Sequence, residues 1–291
     1  MKSLAFSGAL VGANGSSAIS VSNSAGCHQS AGDGSSPERG ISCGADMKEL
    51  YDRIGRGYST KRCTDPKIYA QIAAQLQGAG SILNIGAGSG SYEPENIKLI
   101  ALEPSQVMIN QRPEASHPAV CGRADSLPFP DNAFTHAMTV LSMHHWQNRD
   151  RAFEEIQRVT QRRFIAVTWM PDLAPFWLTD DYFPEILDYD RQHFPLIDEI
   201  KQCFTQLTVN PLLIPHDCRD GFLGCFWQRP EAYLQPAVRA CISTFTKIKY
   251  LDSGLKRLRA DLLSGAWSAK YSALLSQTEV DLGYRILVAD L

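Results

Sequence analysis

The chain has 291 residues, and 44% of them are hydrophobic, so it can bury a sizeable core in one domain with elaborations. Its formal net charge of −3 gives no electrostatic footprint for nucleic acid or an anionic membrane, and no apolar run approaches the about 18 residues of a membrane-spanning helix. The eight cysteines are scattered without zinc-like spacing, which predicts no metal site and favours reduced thiols of a cytoplasmic protein over a disulfide framework.

Serine and glycine dominate the first part of the chain. Residues 1–46 hold 11 serines and 8 of the 21 glycines, with few aromatic or β-branched side chains. Such a segment buries too little apolar surface to offset the entropy of ordering it. We therefore predict that residues 1–46 are disordered and that the folded domain spans residues 47–291.

Residues 65–170 alternate short apolar runs with amphipathic segments. Asp65 followed by Pro66 is typical of a helix start, because Asp caps the first N–H groups and Pro suits the first turn. Strands are predicted at 82–85, 96–103, 119–124, 133–141 and 163–169, with helices at 107–111 and 148–160. This alternation predicts an α/β fold with a mainly parallel sheet that is covered on both faces.

The regular pattern ends after Met170. Aromatic residues, proline and aspartate dominate two irregular segments, at about 171–196 and 218–277, which we interpret as insertions that form a cap on the ligand-binding edge of the sheet. Between and within them, helices are predicted at 197–204, 236–244 and 255–263 and a strand at 207–214. A last strand is predicted at 281–289.

A glycine-rich turn follows the first predicted strand. Gly86, Gly88 and Gly90 alternate with Ala87 and Ser89, and residues of this kind allow a sharp turn and close approach of a ligand to the main chain. Carboxyl ends of parallel strands bind nucleotide-like cofactors at such turns. The Gly-x-Gly-x-Gly spacing differs from the Gly-x-Gly-x-x-Gly of dinucleotide folds, which argues against a nicotinamide cofactor.

Two carboxylates follow at the ends of the next two predicted strands. Glu103 closes the second strand, about 20 residues after the turn, where a carboxylate can accept both hydroxyl groups of a ribose. Asp125 comes directly after the third strand, where it can accept from an adenine amino group. Taken alone, the glycine motif could be only a tight turn, and each carboxylate could be only a solvated strand end. The three features occur in order at successive strand ends, which favours a binding site.

These segments together resemble the class I S-adenosylmethionine-dependent methyltransferases, and most closely the branch of the ubiquinone and menaquinone methyltransferases. The resemblance covers roughly residues 47–170 and rests on four stretches, at 82–90, 101–108, 124–132 and 140–146. It implies a Rossmann-like sheet of seven strands whose last strand is antiparallel. It also implies S-adenosyl-L-methionine as the cofactor, with contacts to Asn84, Gly86, Ala87, Gly88, Gly90, Glu103, Pro104, Ala124, Asp125, Leu141 and Tyr58.

Two positions depart from the family pattern. The family usually has an acid where this chain has Asn84, so contact with the amino group of the cofactor becomes weaker or indirect. Arg123 stands where many relatives have Asp, which leaves the adenine role to Asp125 alone. Neither change removes the predicted site.

Three histidines are candidates for acid–base catalysis. His144 and His145 end the fourth predicted strand, and an ordinary histidine titrates near neutrality. His216, followed by Asp217, opens the second insertion and is the third candidate. Local packing or a turn contact is the alternative for each of them, and no third ligand accompanies the adjacent pair to form a metal site.

The sequence as a whole predicts methyl transfer to a small, apolar or aromatic molecule by in-line displacement. Aromatic residues in both insertions either line a pocket for a flat substrate or form the core of the cap. Methylation of nucleic acid is disfavoured by the acidic balance and by the lack of a base-flipping signature. The alternatives are a cofactor-binding protein that catalyses cyclisation or isomerisation, and a regulatory protein without chemistry.

Overall fold

The computed structural model describes residues 62–291, and its centre is a seven-stranded sheet. The strands lie in the order β3-β2-β1-β4-β5-β9-β6. Their bounds are Ser81–Ile85 (β1), Lys98–Glu103 (β2), Ala119–Cys121 (β3), Phe134–Val140 (β4), Thr160–Trp169 (β5), Leu207–Pro211 (β6) and Tyr284–Asp290 (β9). A separate two-stranded sheet pairs β7, Ile214–Pro215, with β8, Glu279–Val280.

The first five strands of the large sheet are parallel, and the last strand of the chain is antiparallel. β9 inserts between β5 and β6 and pairs antiparallel with both of them. The predicted α/β sheet of seven strands with an antiparallel last strand is therefore confirmed. Because parallel strands end at one edge, the segments after β1, β2 and β4 are brought together there.

Helices cover both faces of the sheet. Their bounds are Pro66–Ala73 (α1), Gln106–Ile109 (α2), Arg149–Val159 (α3), Pro184–His193 (α4), Ile197–Cys203 (α5), Pro236–Arg239 (α6), Leu251–Ser264 (α7) and Ala266–Lys270 (α8). Asp65 caps α1 by accepting from the main-chain N–H groups of Lys67 and Ile68, at 2.9 and 3.1 Å. Ile68 and Ile72 form the buried face of that helix.

Several predicted elements have other lengths in the structure. The predicted strand at 207–214 divides into β6 and β7 because Pro211 has no N–H to continue the ladder. Of the predicted helix at 236–244, only the short α6 is helical in the structure. The predicted helix at 255–263 is part of the longer α7, which ends before Gly265, whose φ is +79°. The third strand ends at Cys121, before the turn that Arg123 forms with Ser126.

The aromatic residues of the two predicted insertions pack mainly against one another. Trp177 is 4% exposed, donates from its indole nitrogen to the Trp227 carbonyl at 2.9 Å, and contacts the rings of Tyr233 and Trp267. This packing joins the segments after β5 and after β7, which we call the cap, and their buried rings belong to the same hydrophobic cluster as sheet residues such as Met138 and Val167. Within residues 62–291, no helix combines the length and the apolarity that crossing a membrane requires. The predicted disordered segment, residues 1–46, lies outside the described residues.

Candidate cofactor site

The glycine turn after β1 is held against the end of β2. The main-chain N–H groups of Gly86 and Ala87 both donate to the carbonyl of Leu102, at 2.8 and 3.1 Å. Gly86 has a φ of +69°, and a Cβ at this position would lie 1.8 Å from the hydroxyl oxygen of Ser142. The backbone therefore passes so close to the end of β4 that only glycine fits.

The third glycine of the turn has another role. Gly90 has a φ of +98°, and a Cβ there would lie 3.1 Å from the guanidinium of Arg112. That guanidinium forms a buried ion pair with Glu93 at 2.6 Å. Gly90 therefore makes room for a structural ion pair behind the turn and does not line the cavity in front of it.

Asn84 belongs to the same polar network. Its amide nitrogen donates to the second carboxylate oxygen of Glu93 at 2.9 Å. Asn84 is 2% exposed and Glu93 already carries the charge that Arg112 neutralises, so a neutral side chain suits this position. Glu93 was not predicted from the sequence, because it lies outside every motif.

Glu103, at the end of β2, presents a buried carboxylate. One of its oxygens accepts from the N–H of Gly88 at 2.9 Å, and the other accepts from the N–H of Ser105 at 3.0 Å. Burial raises the pKa of Glu103, although the two N–H donors and Arg112 oppose that effect. A carboxylate offers about four acceptor positions, so two of them remain for a ligand.

Asp125 also lines the cavity. The guanidinium of Arg123 binds both of its oxygens, at 2.7 and 3.0 Å, and this pairing lowers the pKa of Asp125. Arg123 also donates to Gln147. Asp125 is therefore ionised at neutral pH with its orientation set by Arg123, the residue that departs from the family pattern.

A cavity of about 480 Å³ opens between these elements. Most of the predicted cofactor contacts line it: Asn84, Gly86, Ala87, Gly88, Glu103, Pro104, Ala124, Asp125 and Leu141. Gly90 is absent from the lining for the reason given above, and Tyr58 lies outside the described residues. Lining residues that were not predicted include Arg62, Tyr92 and Trp146.

A buried ion pair closes one side of the cavity. Asp220, fully buried in the cap, binds the guanidinium of Arg62 at 2.7 Å and accepts from the hydroxyl of Tyr92 at 2.9 Å. These three residues join the segment before α1, the glycine turn and the cap. Nothing in the local sequence around any of them indicates the other two, because Arg62 and Asp220 are 158 residues apart.

The two adjacent histidines occupy different environments. His145 lines the cavity, and desolvation lowers its pKa to about 3. His144 stacks on Phe194 with ring centroids 4.2 Å apart, lies outside the cavity lining, and has its pKa lowered well below the usual value by burial. Both histidines are neutral at physiological pH. A base with so low a pKa binds a proton only weakly near neutrality, so it is a poor general base there.

His216 is not brought to the cavity. Its N–H donates to the carbonyl of Thr278 at 2.9 Å, beside the small β7–β8 sheet, and Asp217 pairs with Lys67 at the surface. His216 is absent from the residues that line the cavity, and its main-chain contact is of the kind named as the alternative to a catalytic role. Within residues 62–291, no group of three or more His, Cys, Asp or Glu side chains is arranged to hold a metal ion.

Comparison with known proteins identifies a family. The family model for a methyltransferase domain matches residues 83–166. A solved structure from Anabaena variabilis, described as a methyltransferase from an antibiotic biosynthesis pathway, is 32% identical, with a TM-score of 0.72. The similarity covers 79% of this chain and 99% of that one.

Two curated relatives match shorter parts of the chain. The 2-methyl-6-phytyl-1,4-hydroquinone methyltransferase 2 of Oryza sativa subsp. japonica, a chloroplastic protein, is 27% identical over 34% of this chain and 31% of its own length. The tRNA (carboxymethyluridine(34)-5-O)-methyltransferase of Schizosaccharomyces pombe is 23% identical over 39% of this chain and 50% of its own. The matches thus span half or less of these curated relatives.

The similarity to the Anabaena structure extends over nearly all of that protein. The chain therefore belongs to the class I S-adenosylmethionine-dependent methyltransferases.

Proposed function

We propose that this protein transfers a methyl group from S-adenosyl-L-methionine to a small, apolar or aromatic molecule by in-line displacement. The observation that carries the proposal is the carboxylate of Glu103, which is held by two main-chain N–H groups at the edge of the 480 Å³ cavity. The geometry leaves acceptor positions for a pair of ligand hydroxyls.

The residues around the cavity fit the cofactor of the family. Glu103 would accept from the two ribose hydroxyls, and Gly86 and Gly88 leave the main chain open to the methionyl part. Asp125, oriented by Arg123, would meet the adenine amino group. Asn84 donates to Glu93, so it offers its remaining carbonyl oxygen and no charge to the cofactor.

The cofactor, when bound, supplies an electrophilic methyl group on a positively charged sulfur. The chain contributes alignment and the exclusion of water. Tyr92, Arg62 and Asp220 close one wall, and Leu141 turns the backbone at the end of β4 with a φ of +50°. Holding both reactants in line in this way supplies much of the rate enhancement in such displacements.

Three observations support a small acceptor. The rice relative is named for an aromatic hydroquinone, which agrees with the resemblance to the ubiquinone and menaquinone branch. Aromatic rings of the cap border the cavity region. The yeast relative is named for a tRNA substrate, but the net charge of −3 provides no basic surface that would favour a polyanion. Because the cysteines are scattered, we interpret them as reduced thiols, and the proposal therefore includes a cytoplasmic location.

Calorimetry with S-adenosylmethionine tests the cofactor site. Glu103→Gln removes the negative charge and turns an amide group toward a main-chain N–H donor. We expect the affinity for S-adenosylmethionine to fall at least about tenfold, since a hydrogen bond to a charged group contributes about 1.5–3 kcal/mol. Gly88→Val narrows the cradle without changing charge and serves as a second variant. Glu95→Gln, at an exposed position, is the matched control.

Unchanged affinity in both site variants would contradict the assignment. Transfer of an isotopically labelled methyl group into a small-molecule product then separates a methyltransferase from a protein that uses the same cofactor for cyclisation, isomerisation or regulation. Binding without transfer to any metabolite of the host would favour those alternatives.

A further inference from the structure

A second, smaller space lies beside the cofactor cavity, on the side of the cap. Its volume is about 60 Å³, and it shares Arg62, Leu141 and His145 with the wall of the larger cavity. We call this space the cap-side pocket. Phe194 and Tyr284 form apolar parts of its wall. Because a cavity that holds a benzene ring is about 150 Å³, this pocket can take the reacting group of an acceptor molecule but not a whole ring.

The cap-side pocket contains one carboxylate that the site described above does not use. Asp190, on α4, is 2% exposed and lines the pocket. Its oxygens contact only the hydroxyl of Thr244 among side chains of residues 62–291, at distances of 3.4 and 3.5 Å. No lysine, arginine or histidine in that range forms an ion pair with it.

An isolated carboxylate of this kind is costly to bury. Proteins usually pair a buried carboxylate with a cation or surround it with short hydrogen bonds. Buried carboxylates that have neither kind of partner are found mainly at functional sites. Here desolvation raises the pKa of Asp190 to about 7. A base with this pKa is well matched to proton transfer near neutral pH, whereas His145, with a pKa near 3, is not.

The other charged and titratable side chains around the pocket leave this role to Asp190. Arg62 is neutralised by Asp220, and Lys247 is exposed. His144 and His145 are neutral for the reasons given above, and a ring nitrogen of His193 contacts the carbonyl of Tyr189 at 2.7 Å.

We propose that Asp190 takes the proton of the atom that is methylated, and that this atom is the oxygen or nitrogen of an O–H or N–H group that an aromatic acceptor places in the cap-side pocket. This inference rests on the proposed function. Phe194 and Tyr284 would border the reacting group, and Asp190 would orient it by accepting its hydrogen bond.

The step balances without any further reactant. A lone pair of the acceptor atom forms the bond to the methyl carbon, and the bond from carbon to sulfur breaks with its electron pair left on sulfur. The acceptor loses its proton to a carboxylate oxygen of Asp190, which later releases it to solvent. The products are the methylated acceptor, the thioether form of the cofactor and one proton.

Binding of small probes to the protein saturated with S-adenosylhomocysteine tests the inference. The probes are 4-methylphenol for an O–H group, aniline for an N–H group and toluene as a hydrocarbon of similar shape. Affinities are measured by calorimetry at pH 6.0 and pH 8.5, a range in which all three probes stay uncharged.

We expect 4-methylphenol or aniline to bind about tenfold more tightly at pH 8.5, because Asp190 is ionised there, and toluene to bind equally at both values. The probe that responds identifies the acceptor atom. Asp190→Asn should abolish the pH dependence, while Asp188→Asn, the same substitution at an exposed position of the same helix, should retain it.

A pH dependence that persists in Asp190→Asn overturns the inference, and so does failure of both polar probes to bind or to respond to pH in the wild type. Binding of S-adenosylhomocysteine is measured first in the same samples. Its absence would overturn the proposed function, whereas its presence without a probe response would overturn only the role of Asp190.

Discussion

Replacing Asp190 by Asn should change how the stability of this protein depends on pH. The pKa of Asp190 is about 7 in the folded protein and near 3.8 for the free side chain. Because the folded state binds the proton more tightly, this carboxyl favours folding at low pH, and its contribution is lost as the pH rises from about 4 to about 7. The gap of about three pKa units corresponds to roughly 4 kcal/mol at full ionisation.

Asparagine carries no charge and avoids that loss. Relative to the wild type, Asp190→Asn should therefore gain about 2–3 kcal/mol in unfolding free energy between pH 5 and pH 8. Urea unfolding of the full chain, followed by circular dichroism at both pH values, measures the difference. Asp188→Asn, whose side chain is exposed, is the control and should follow the wild type. Parallel pH profiles for the wild type and Asp190→Asn would refute the reasoning.

Two further predictions concern the turn and its polar support. Gly86→Ala and Gly88→Ala impose the same kind of backbone strain, about 1–2 kcal/mol, because φ is +69° and +53°. Only Gly86→Ala also forces a Cβ to 1.8 Å from Ser142, so it should cost about 1–3 kcal/mol more in urea unfolding, and equal costs would contradict the steric argument. Asn84→Asp should destabilise the protein at pH 7 by about 1–3 kcal/mol through repulsion from Glu93, whose carboxylate lies 2.9 Å from the Asn84 amide. The loss should shrink at pH 4, and a loss that is the same at both pH values would show that charge is not the cause.

Local sequence patterns were sufficient to predict most strands of the sheet. Alternating apolar runs and glycine turns locate β1 to β5 within a few residues, because β1, β2, β4 and β5 each contain a run of buried residues bounded by turn residues. The division of the predicted strand at 207–214 was missed. Pro211 ends the pairing with β9, and the residues beyond it pair with β8, a contact across 64 to 66 residues of sequence that no local pattern encodes.

The candidate site was likewise predicted only in part. Glu103, Asp125 and the glycines follow strands directly, so their positions could be inferred once the strands were known. Asp190 and Asp220 were not found, because their importance comes from burial in the cap and from partners that the chain brings from far away. His216 was a candidate on its place in the sequence alone, and in the structure it lies beside the β7–β8 sheet and outside the cavity lining.

The position of β9 has a consequence for how the protein is made. β6 pairs with β9 and with no other strand of the large sheet among the described residues, so it has no partner until the last described residues leave the ribosome. During synthesis, the parallel half of the sheet, which carries the glycine turn, can assemble first while the edge of β5 stays exposed. A nascent chain would be prone to aggregation at that edge, and loss of β9 would leave β6 without its partner in the large sheet and one edge of β5 unpaired.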